Sequence, residues 1–175
     1  MTSSKRSNPH LRLVEAAGAK DEAGGEGEAK NIGDRASTGS RIRGAGYCAT
    51  TREISVTVKP IFLEDQSSPT DNHYVWAYHV RIENRGGDTV QLRNRHWVIT
   101  DALGRIQEVR GAGVVGEQPV LKPGETFEYT SGTPLPTPSG IMQGSYQMER
   151  ADGERFDVRI PAFSLDSPHQ TMRLN

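Results

Sequence analysis

The chain has 175 residues, a formal net charge of −1, 34% hydrophobic residues and a single cysteine. That length holds one domain with a core, or a smaller domain and a tail, and the lone Cys48 excludes an internal disulfide and any multi-cysteine metal site. The charge divides into +2 over the first fifty residues and −3 over the rest, with signs interspersed; this is not the basic stripe of a nucleic-acid binder, and no apolar run approaches membrane-spanning length.

The first segment, residues 1–48, is poor in anything that could form a core. The first fifty residues hold eight glycines, no Trp or Phe, and Tyr47 as the one aromatic side chain. Such a composition cannot offset its own ordering entropy, so the expectation is a disordered extension followed by one folded domain over 49–175. Met1 to Val14 is basic and hydroxyl-containing without the apolar stretch of a secretory signal, and cytoplasmic residence is expected.

From Thr51 onward the pattern becomes short runs of period two, punctuated by Gly, Pro, Asn and Asp. Ile54, Val56 and Val58 predict a first strand. Tyr74, Trp76, Tyr78, Val80 and Ile82 share one face of a second, ended by the turn Asn84-Arg85-Gly86-Gly87. In the third, Val90 and Leu92 lie on one parity and Trp97 and Ile99 on the other. One face cannot hold both sets unless a β-bulge within Arg93 to His96 adds a residue. Further strands are predicted over Arg105 to Arg110, around Phe127 and Tyr129, over Met142 to Met148, and over Phe156 to Ile160, with Pro161 and Pro168 stopping further pairing. About seven short strands without a helical segment predict an all-β fold, an antiparallel sandwich of the immunoglobulin or fibronectin type III kind. Trp76, Trp97, Phe127, Tyr146 and Phe156 are its expected core aromatics.

Gly111-Ala112-Gly113-Val114-Val115-Gly116 has the GxGxxG spacing of a dinucleotide loop. That use requires a helix to follow, and Pro119 with no helical pattern follows instead. Two readings remain: an anion nest of backbone N–H groups from Gly111, Gly113 and Gly116 beside Arg110, or glycines serving an irregular β segment. Arg95 and His96, at the expected bulge, could add positive charge or contact a partner. Pro134 and Pro136, in the segment Gly132-Thr133-Pro134-Leu135-Pro136-Thr137-Pro138, either present a polyproline-like surface to a protein or stiffen a crossover. The histidines His10, His73, His79, His96 and His169 are scattered without the pairing that metals need, so neither a metal site nor a cofactor is expected.

The glycine run, the stretch from Tyr129-Thr130-Ser131-Gly132 through Thr137-Pro138-Ser139-Gly140 to Met142, and Arg95-His96-Trp97-Val98-Ile99-Thr100-Asp101 upstream occur in an order that resembles the ApaG family. The resemblance covers roughly residues 51–170 and implies the same sandwich. It also implies a genetic association with cobalt resistance, magnesium efflux and diadenosine tetraphosphate metabolism. The domain is similar to modules appended to an F-box protein and to a polymerase-associated protein, which suggests binding rather than catalysis. The expectation is a non-enzymatic module that recognises a protein partner or a phosphorylated small molecule, pyrophosphate or a dinucleoside polyphosphate. The alternatives are an enzyme acting on such a nucleotide and a divalent-cation sensor.

Overall fold

The computed structural model describes residues 46–170. Residues 1–45, most of the extension expected to be disordered, lie outside the described residues, as do residues 171–175. Nine strands follow in order among the described residues: β1 (Tyr47–Thr51), β2 (Ile54–Phe62), β3 (Tyr74–Asn84), β4 (Val90–Asp101), β5 (Ile106–Ala112), β6 (Val120–Leu121), β7 (Thr126–Leu135), β8 (Ser139–Arg150) and β9 (Arg155–Asp166). Two short 3-10 turns, Glu64–Gln66 and Pro69–Asp71, sit between β2 and β3. No helix among the described residues is long and apolar enough to cross a membrane.

All pairing is antiparallel, and the strands form two sheets, β1-β2-β3-β7 and β5-β4-β8-β9, with β6 beside the start of β4. The chain changes sheet at β3 to β4, back at β6 to β7, and again at β7 to β8, which is what packs the two sheets face to face as a sandwich. The parity read from the sequence accounts for the core. Tyr74, Trp76, Tyr78, Val80 and Ile82 all turn inward from β3, while Val56 and Val58 flank them from β2. Facing them from the other sheet are Trp97, Ile99, Met142, Tyr146, Val158 and Ile160, all buried.

The bulge expected in β4 is present. Leu92 pairs with Met148 and Asn94 with Gln147, so Arg93 is the extra residue that lets Leu92 and Trp97 share the inner face.

Three expectations need correction. The chain does not stop pairing at Pro161: β9 continues to Asp166 because a second bulge lies there, where Ile160 pairs with Gly144 and Phe163 with Met142. Pro161 occupies the two-against-one step of that bulge, where a missing N–H costs no ladder bond. Phe127 is only partly buried, because β7 ends its sheet and an inward side chain there is packed from one side. Among the described residues the strands number nine where about seven were expected, since β1 and the two-residue β6 carry too few large apolar residues to stand out in sequence.

Candidate functional site

The bulge at Arg93 sets the direction of every later side chain in β4. With Trp97 and Ile99 facing inward, Arg95 must face inward too, whereas His96 turns to the outer surface. An arginine on the inner face of a sandwich needs both room and partners. Room comes from Gly111, directly opposite Arg95 on β5: a Cβ there would stand 3.0 Å from the guanidinium. Partners come from the following loop, where Arg95 Nη1 donates to the carbonyls of Ala112 at 3.0 Å and Gly113 at 2.8 Å. These bonds use Nη1 alone, and three of the five guanidinium N–H donors lie outside them. Among the described residues no carboxylate lies within ion-pair distance of Arg95.

Beyond Arg95 the chain makes a tight turn. Val114 N donates to Glu117 O at 2.8 Å and Glu117 N returns to Val114 O at 2.9 Å. Val115 (φ 44°) and Gly116 (φ 80°) both take positive φ, the pattern of a type I′ turn. For the β-branched Val115 this is a strained conformation. Gly113 (φ 60°) approaches so closely that a Cβ would come within 2.2 Å of Glu117 O, so only glycine fits.

The loop, β5 and β7 enclose a cleft of about 280 Å³ at one open side of the sandwich. Its walls are Trp97, Val109, Val115 and Met142, with Tyr78, Tyr129 and Ser131 on the β3–β7 side. Three phenols converge at this end of the core. The Tyr129 and Tyr146 hydroxyls hydrogen-bond each other, and Tyr78 bonds Ser131. Tyr146 is the cross-strand neighbour of Arg95. Burial pushes all three phenols above the ordinary tyrosine value, and the Arg95 charge opposes that rise only in part. At neutral pH they are therefore neutral donors and acceptors beside a permanent cation.

A second depression, about 540 Å³ and open, lies on the outer face of the five-stranded sheet and includes Asn94, His96, Arg110 and Gln147. It is larger and shares Arg95 and Arg110 with the cleft, and its His96 and Arg110 are already paired. Glu108 Oε2 lies 2.8 Å from His96 Nε2 and 3.2 Å from Arg110 Nη2. The hydrogen bond from His96, then that from Arg110, holds the Glu108 carboxyl below the usual carboxylate range. The cleft is the stronger candidate because it sets Arg95, which has no anionic partner, beside apolar walls and the buried phenols of Tyr78 and Tyr129.

The residues singled out in sequence are thus distributed over three surfaces. Arg95 is in the cleft, and Gly111, Gly113 and Gly116 shape its rim. His96 and Arg110 project their side chains from the outer face of the five-stranded sheet. Pro134 pairs with the outward Val75, so it lies on the outer face of the other sheet, and Pro136 is exposed just beyond β7. The glycine N–H groups are largely committed: Gly113 N donates to Arg93 O at 2.9 Å. The loop therefore offers Arg95, held by its carbonyls, rather than a row of free amides. Tyr78, Tyr129, Tyr146 and Ser131 were not anticipated as site residues, although three inward-parity tyrosines in one core are a signal that a polar cluster lies inside. Among the described residues no group of three or more His, Cys, Asp or Glu is placed to hold a metal ion.

Comparison with known proteins agrees with this architecture. A family model described as the ApaG domain matches residues 64–150. The Protein ApaG of Paramagnetospirillum magneticum is 72% identical over 129 residues, covering 74% of this chain and 99% of that protein. The Protein ApaG of Rhodospirillum centenum is 70% identical over the same span, with the same coverage. The crystal structure of a Bordetella pertussis protein described as ApaA is 52% identical and superposes with a TM-score of 0.65, covering 67% of this chain and 95% of that one. With the sandwich, the glycine-shaped rim and this identity across nearly the whole of each relative, the chain belongs to the ApaG family.

Proposed function

We propose that this protein is a binding module, not an enzyme, and that its ligand presents an anionic group to Arg95 in the cleft between the sheets. The observation that carries this reading is the guanidinium itself: a cation on an inner face, fixed by two neutral carbonyls and facing no carboxylate. Arg95 is half-buried and its guanidinium keeps further N–H donors beyond those two bonds, and an anion that accepts them makes charge-assisted hydrogen bonds. A small cavity with apolar walls and a few convergent polar groups is the usual form of a ligand site. The phenols offer further hydrogen bonds without adding charge.

The directions of the side chains support binding rather than catalysis. His96 lies on the opposite face of its sheet from the cleft, already bonded to Glu108, so it is not poised to move a proton from anything held beside Arg95. The phosphorylated class, inorganic pyrophosphate first, is the one to test, and the contact is assigned to Arg95 rather than to Arg110 and the glycine amides.

Titrating pyrophosphate into the labelled protein should move the amide signals of Gly111, Gly113 and Gly116 and change Trp97 fluorescence. The response should weaken as salt rises. Arg95→Gln should abolish it while the amide spectrum elsewhere stays as in the parent. Shifts centred on His96 and Arg110, or no shift at millimolar ligand, would overturn the assignment.

A further inference from the structure

β5 hydrogen-bonds to β4 alone, and among the described residues its other edge has no neighbour. The phase of the β4–β5 ladder is fixed at both ends. Gly113 N donates to Arg93 O at 2.9 Å, and Asp101 N to Arg105 O at 3.0 Å, so the bonded pairs fall on odd-numbered residues. The even-numbered residues Ile106, Glu108, Arg110 and Ala112 accordingly turn their N–H and C=O groups to the open edge, while their side chains stand on the outer face of the sheet.

From this we infer that β5 pairs with β5 of a second copy of the chain, antiparallel about a two-fold axis through Val109, joining two five-stranded sheets edge to edge. Such a contact is isologous, so each residue must be complementary to its symmetry mate. In the register centred on Val109, Glu108 stands opposite Arg110 of the second copy, twice. Ile106, 66% exposed in the single chain, stands opposite Ala112, twice, and Val109 meets Val109. Pairs 108–110 and 106–112 join residues whose backbone groups already face outward, so both can exchange hydrogen bonds.

The neighbouring even registers fail on charge. Centring the axis on Glu108 sets Glu108 against Glu108, and centring it on Arg110 sets Arg110 against Arg110. Of these three registers, only the one centred on Val109 sets opposite charges against each other. The bond between Glu108 and Arg110 within one strand, 3.2 Å long with both side chains at least half exposed, exchanges readily for the pair across the axis. Edge strands are commonly blunted by charges of one sign or by proline, and β5 has neither; its alternating Glu and Arg are self-complementary instead.

Sedimentation equilibrium of the full chain, from roughly ten micromolar to one millimolar, tests the inference. A monomer–dimer equilibrium is expected. Glu108→Arg and Arg110→Glu should each lower the association constant by about tenfold or more, since each makes two like-charged pairs at the axis. The double variant carrying both changes restores opposite charges and should recover most of the parent association. Glu108→Pro removes an outward N–H without touching the β4 ladder and should also weaken the dimer. Because these side chains are exposed, unchanged circular dichroism will show that the fold is kept. A monomer throughout the concentration range, or a dimer indifferent to both single reversals, would overturn the inference, whatever becomes of the cleft.

Discussion

The two sides of this sandwich are closed in different ways. On the side of β1 and β9 the sheets are stitched together: Tyr47 Oη bonds Ser164 Oγ at 2.8 Å, Arg159 N donates to Thr51 Oγ1 at 3.1 Å, and Arg52 pairs with Glu154 at 2.7 Å. The Tyr47 ring also packs against Phe163, 6.1 Å between centroids. On the side of β5 and β7 a cleft intervenes, and the polar groups of Arg95, Tyr78, Tyr129 and Tyr146 lie where apolar packing would otherwise continue. One side uses its polar residues to hold the sheets together. The other places them around an open cleft, where the proposed ligand would meet them, and gives up apolar contact between the sheets.

The largest test of this contrast is Trp97→Ala. Trp97 is the apolar floor between the cleft and the core, with edge contacts to Tyr78 at 5.2 Å, Phe163 at 6.0 Å and Tyr146 at 6.3 Å. Losing it should cost about 3–5 kcal/mol in urea unfolding, the range for truncating a buried aromatic residue. A cost near zero would mean that the cleft reaches through to the core and that Trp97 packs against solvent.

The next effect is an alkaline one. Tyr78, Tyr129 and Tyr146 have folded pKa values raised by burial above an unfolded value of about 10. Below that pH both states hold the proton and the contribution is constant. Above it the unfolded state releases protons that the folded state retains, so stability should fall by about 1.4 kcal/mol per pH unit for each phenol, until the folded pKa is reached. Tyr146→Phe should reduce the slope measured by urea unfolding between roughly pH 10 and 12. A flat profile would show that water reaches the phenols and that the cleft is deeper than its walls indicate.

The smallest effects compare the two sides directly. Tyr47→Phe deletes one cross-sheet hydrogen bond on the closed side and should cost about 0.5–1.5 kcal/mol. Arg95→Met on the open side exchanges an unpaired cation for an apolar side chain of similar length, and stability should change by less than about 1 kcal/mol in either direction. Measured side by side by thermal unfolding, the two variants separate a residue kept for the fold from one kept for a ligand. A large loss for Arg95→Met would assign Arg95 to holding the loop after β5.

Much of this architecture was legible along the chain, for a definite reason. Strand parity is local, so Tyr74 to Ile82 declared their face and the shift between Leu92 and Trp97 declared the bulge at Arg93. The same parity implied that Arg95 and His96 face opposite sides, which grouping them by charge obscured. The bulge that accommodates Pro161 left no such mark. A proline that ends one strand and a proline that sits in a bulge read alike until the partner strand is known.

By itself, then, the sequence determined the sandwich, most of its core and the family, because alternation and turn residues act over a few neighbouring positions. Only the tertiary structure decided where the chemistry lies. The cleft needs β5 and β7, which belong to different sheets, and it needs the glycine opposite Arg95 on a neighbouring strand. Those proximities arise from the three crossovers between sheets and from register across strands, and neither is written in any short stretch of residues.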